Sequence, residues 1–137
     1  MTDLNIMATK IKDIIVTVEG IAAAYDHEPQ SMTQLPAATL YFDGFSQSDS
    51  ATRRKSVNWR WVIRLYIPLN SSDVTKPQMD IRYLLVNTIK QLRTDPSLGG
   101  SCLYHTVSDG DVFVNLDQPT AMMLAELSLL ATTEEDF

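Results

Sequence analysis

Residues 57–67 read Val-Asn-Trp-Arg-Trp-Val-Ile-Arg-Leu-Tyr-Ile, and this run limits the possible folds more than any other stretch of the chain. Val57, Trp59, Trp61, Ile63, Leu65 and Ile67 are apolar, and Asn58, Arg60, Val62, Arg64 and Tyr66 stand between them. Side chains of a strand alternate between two faces, so a period of two predicts a β-strand with one face on a core. A helix would scatter Trp59, Trp61 and Ile63 around its circumference. At ~3.3 Å per residue the run reaches ~36 Å, about twice a usual strand, and is expected to project beyond its sheet. Trp59 and Trp61 fall on the apolar face, which makes them core residues rather than platforms for stacking bases.

The flanking segments predict helices and further strands. Met7, Ile11, Ile14, Ile15, Val18, Ala22 and Tyr25 recur at three-and-four spacing and predict a helix over residues 3–25, with Asp3 as its N-cap. Residues 27–36 contain Pro29 and Pro36 and read as a connection, where His27 lies solvated between Asp26 and Glu28. Residues 37–43 suit a strand closed by Gly44. Residues 44–56, rich in Ser, Asp and Gln, read as a flexible loop, so that strand, loop and long strand make a projecting hairpin with a mobile tip.

After Pro68 and a turn at 70–73, Thr75 and Gln78 suit a capping pair and Pro77 a first helical turn. The second helix carries Ile81, Leu84, Leu85, Thr88, Ile89 and Leu92 on one face and stops at Asp95-Pro96. Residues 103–107 and 111–116 read as two strands joined by Ser108-Asp109-Gly110. Residues 121–131 suit a last strand with Met123, Ala125, Leu127 and Leu129 on one face; a helix over this span is the alternative. The opposite face of that strand, Met122, Leu124, Glu126, Ser128 and Leu130, is also largely apolar. Two helices cover one face of a sheet, so a neighbouring subunit is expected over the other, with Met122, Leu124 and Leu130 at the contact. The acidic tail 132–137 is expected to be mobile.

A chain of 137 residues with 45% hydrophobic and 20% charged residues suits one soluble domain spanning 1–137. Its net charge of −6 disfavours a general nucleic-acid binder. The charge is unevenly placed. Arg53, Arg54, Lys55, Arg60 and Arg64 are five of eleven basic residues, and no acid lies between Asp49 and Asp73. Glu134, Glu135 and Asp136 concentrate the opposite sign. Arg60 and Arg64, on a rigid strand, are assigned to subunit or partner contacts, and Arg53, Arg54 and Lys55 to a lumen or partner contact. The lone Cys102 allows no intrachain disulfide and fits a reducing compartment. Asp3, Lys10, Lys12 and Asp13 interrupt any signal-peptide pattern, and residues 121–131 are too few to cross a bilayer. Synthesis in a cytoplasm is expected, with no membrane partner.

Catalytic signatures are missing from the sequence. His27 and His105 are far apart, and there is no HExxH, Cys/His cluster or GxSxG. Leu98-Gly99-Gly100 lacks the lysine of a phosphate loop, and Asp109, Asp111 and Asp117 do not match the spacing of a calcium loop. No enzyme activity, cofactor or metal is therefore expected.

The order helix, basic-tipped hairpin over 37–67, helix, Asp95-Pro96-Ser97-Leu98-Gly99-Gly100, then strands ending in Thr133-Glu134-Glu135 resembles the tail-terminator family of long-tailed bacteriophages. The resemblance spans nearly the whole chain and is one of pattern. It implies a hexameric ring that caps the finished tail tube and joins the head, with no catalytic residues. The implied partners are further copies of the chain, the tail tube protein, a head-completion or connector protein and, non-specifically, the passing genomic DNA. The implied location is the virion neck, after assembly in the host cytoplasm. Together these readings predict an α+β fold in which two helices cover one face of a mixed or antiparallel sheet with a long projecting hairpin. The alternatives are another neck, head-completion or tail-tube component, a small cytosolic enzyme, or a nucleic-acid-binding module using residues 53–64.

Overall fold

The computed structural model describes residues 2–51, 54–69, 75–115 and 121–136. In chain order the elements are α1 (Leu4–Ile15), β1 (Ala23–Ala24), β2 (Ala37–Ala51), β3 (Arg54–Pro68), α2 (Thr75–Arg93), β4 (Tyr104–Asn115) and β5 (Met122–Glu135). The alternating run is the middle of β3, the central strand of a five-stranded sheet ordered β1-β2-β3-β5-β4. β1 pairs with β2 in parallel, and every other pairing is antiparallel, so the α+β class with a mixed sheet holds.

Register explains where the core lies. Directly opposed residues share a face, and Trp61↔Leu129, Ile63↔Leu127, Leu65↔Ala125 and Ile67↔Met123 align the apolar rows of β3 and β5. Met7, Ile11 and Ile15 of α1, with Ile81, Leu84 and Leu92 of α2, join these rows in one buried cluster. Asp3 caps α1 as expected, its carboxylate accepting from the N–H groups of Asn5 at 2.9 Å and Ile6 at 3.1 Å.

Several expected boundaries are corrected. α1 ends at Ile15 and does not run on to residue 25. The Thr17 hydroxyl donates to the Ile14 carbonyl at 2.6 Å, and Gly20 takes a φ of 98° that a helix does not contain. Further on, Ala22 N–H donates to Pro36 O and Tyr25 N–H to Ala38 O, so this stretch joins the sheet instead. The loop expected over 44–56 is strand on both sides of residues 52–53. β2 continues through Gly44, where a register shift between Phe42 and Phe45 and a φ of 99° mark a bulge. The tail expected to be mobile is paired through Glu135 on β5, with Thr132, Thr133 and Glu135 buried. Ser108-Asp109-Gly110 is no turn either: β4 is continuous and absorbs Ser108 as an irregularity between Val107 and Asp109. The turn expected at 70–73 lies outside the described residues, and α2 is described from Thr75 onward.

Candidate functional site

The outer face of the sheet, opposite the helices, carries the even-numbered residues of β3. Arg64 is its hub. Its Nε donates to Glu126 Oε1 at 2.8 Å and its Nη1 to Glu28 Oε1 at 3.3 Å, while the guanidinium lies 4.7 Å from the centre of the Tyr41 ring. Glu28 also accepts from the Thr39 hydroxyl at 2.8 Å and from the Tyr66 hydroxyl at 3.3 Å. Partial burial opposes the charge on Arg64, but the hydrogen bond to Glu126 and the neighbouring Tyr66, Glu126 and Glu28 outweigh it and hold its pKa above the ordinary value. Burial pushes the Tyr66 phenol up. Two carboxylates thus satisfy Arg64 within its own chain.

Arg60 behaves differently. It reaches across β2 at Gly44, where a Cβ would sit 2.8 Å from its Nη2. Among the described residues no carboxylate lies within ion-pair distance of it. At the hairpin end, Arg54 Nη1 meets Glu134 Oε2 at 3.1 Å and its Nε meets Asp136 Oδ1 at 3.9 Å, and Lys55 pairs with Asp49. Folding therefore brings the basic and acidic segments of the sequence together within one chain. Arg53 lies outside the described residues.

Of the apolar residues expected at a subunit contact, Leu124 is 6% exposed, flanked by Tyr66 on β3 and Phe113 on β4. It is covered within the single chain, where residues 28–32 share a cleft with it. Met122 and Leu130 remain half-buried on the same face.

The six-residue turn after α2 has a defined build. Asp95 Oδ2 accepts from Gly99 N–H at 2.8 Å, Leu98 is fully buried at a φ of 50°, and Gly99 and Gly100 have φ values of 68° and 86°. Positive φ at successive positions reverses the chain at little cost where glycine is present. This turn aims Leu98 into the core and launches β4. His105 Nδ1 lies 3.0 Å from Pro96 O, and His27 Nδ1 lies 2.8 Å from Asp26 Oδ1. Among the described residues no three of His, Cys, Asp and Glu gather at one point to hold a metal.

Two surfaces escaped the sequence reading. Met79, Tyr83 and Val86 form a stripe on the outward side of α2, each about half exposed. Their four-and-three spacing was visible in the sequence, but the richer core stripe on the same helix obscured it. The second is the β4 edge, where Val112, Phe113 and Val114 are similarly exposed. Chemically, these two surfaces can make apolar contacts with another surface, and Arg60 can make an ion pair. No protein-family model matches the chain, and no curated protein is significantly similar to it.

Proposed function

We propose that the chain is a structural virion protein of a long-tailed bacteriophage, forming a ring that caps the tail tube, ends its elongation and presents the surface to which the head joins. The observation that carries this reading is the element order: a helix, the long β2–β3 hairpin, a second helix, the Asp95–Gly100 turn and the closing strands, all on one sheet. That order resembles the tail-terminator pattern, and the turn is a built feature rather than a chance string of residues. The exposed apolar residues on α2 and β4 also support a chain that works against other surfaces, because contiguous exposed apolar patches mark interaction sites.

The test is direct. Purified protein is mixed with tail tubes assembled without a terminator and viewed by electron microscopy, with native mass measured for the free and bound forms. Six copies seated on one end of each tube, and tubes that stop growing, are the expected result. Binding to DNA-filled heads but not to tubes would assign the protein to head completion instead. Indifference to both would end the virion reading.

A further inference from the structure

Ion pairs satisfy the described cations of the hairpin other than Arg60, and further unpaired positive charge lies elsewhere. Arg54, Lys55 and Arg64 each have a carboxylate partner within the chain. On α2, Arg82, Lys90 and Arg93 have none within ion-pair distance among the described residues; Arg82 Nε donates only to the Gln78 carbonyl, at 3.1 Å. These three cations accompany the stripe of Met79, Tyr83 and Val86, and helical spacing of three and four places that stripe on one side. In a chain of net charge −6, the outward face of α2 is thus basic and apolar.

β4 has the opposite character. It is an edge strand, and residues 108–114 are all exposed. Val112 and Val114 lie opposite Ala125 and Met123, on the helix side of the sheet, yet are left half uncovered by the helices. Asp109 and Asp111 lie opposite Ser128 and Glu126 on the other side of the same strand, and neither has a basic partner among the described residues. An exposed edge with apolar side chains invites another chain, and covering it with a helix is one way proteins protect it.

We infer that the outward face of α2 in one copy of this chain covers the β4 edge in the next. The apolar stripe would meet Val112 and Val114, and the long basic side chains would reach the rim acids Asp109 and Asp111. The two patches differ, so the contact is head-to-tail, and such contacts propagate around a ring when the rotation closes. Opposite patches on every copy also disfavour stacking of like faces, since like charges repel. The inference names the surfaces that join copies and rests on the ring proposed above.

Charge exchange tests it. One variant carries Arg82→Glu and Lys90→Glu, another Asp109→Lys and Asp111→Lys, all at exposed positions. Thermal melts and circular dichroism first establish that both are folded. Each alone should lose ring assembly on tubes, at least tenfold in the protein concentration needed. An equimolar mixture should recover it, because every contact then pairs opposite signs. Rings from either variant alone at wild-type concentration, or no recovery in the mixture, would overturn this interface and leave the ring itself standing. Wild-type protein that forms no ring with or without tubes would remove both.

Discussion

Cys102 is 8% exposed, and its Sγ lies 3.9 Å from Pro96 O. Burial, with the Asp95 carboxylate second, pushes its thiol from 9.0 up to about 11. The unfolded chain releases this proton near pH 9, whereas the folded chain keeps it until about pH 11. The folded state therefore binds more protons in that window, and stability is full below pH 9 and declines as pH rises towards 11. Tyr66, also raised by burial, acts with the same sign. Urea midpoints measured across this range should fall, and Cys102→Ala should make the fall shallower. An unchanged slope in that variant would place the titration elsewhere. Two glycines offer a second comparison at this scale. A Cβ on Gly110 would lie 2.8 Å from the Glu126 carbonyl oxygen, part of the backbone of the neighbouring strand. A Cβ on Gly44 would instead meet the mobile end of Arg60, leaving mainly the φ of 99° to oppose it. Gly44→Ala should cost about 1–2 kcal/mol. Gly110→Ala should cost about 1–3 kcal/mol through overpacking and loosen β4, which amide exchange along that strand would show.

At the scale of elements, α2 separates stability from surface. Leu92 is fully buried, so Leu92→Ala should lose about 2–5 kcal/mol. Lys90→Ala, on the exposed side, should stay within about 0.5 kcal/mol of the parent in the same denaturant titration. α2 and β3 were legible in the sequence because each sets one apolar row against one core, and periodicity records that directly. Residues 44–51 were not, because Ser46, Gln47, Ser48 and Asp49 are exposed while the backbone here is paired with β3, and composition does not record backbone pairing. Residues 16–25 misled in the other direction. Val18, Ala22 and Tyr25 continue the helical spacing, but positive φ at Gly20 and the parallel pairing with β2 override it. Ser108-Asp109-Gly110 has the composition of a turn, and tertiary pairing with β5 stretches it into an irregular strand.

At the scale of the whole molecule, pairing across the sheet redraws the charge map. Arg64 finds Glu28 and Glu126, and Arg54 finds Glu134; no local pattern in the sequence could announce partners so distant. The contrast of signs that remains, between α2 and β4, belongs to the folded surface. The strand order carries a different consequence, in the sequence of events by which the chain folds. β2–β3 and β4–β5 are each joined by a short connection, while β3 and β5 are separated by all of α2 and β4. The two hairpins can therefore form locally and early, and zipping them together along Lys55↔Glu135 to Pro68↔Met122 closes the longest loop. That seam is expected to be the slow step. Leu127→Ala, in its middle, should reduce the folding rate in stopped-flow measurements, and so should Phe45→Ala, whose contact with Trp59 is made within the earlier β2–β3 hairpin. Until the seam closes, each hairpin exposes an unpaired inner edge, so the interval before zipping is when this chain is most open to pairing with the wrong neighbour.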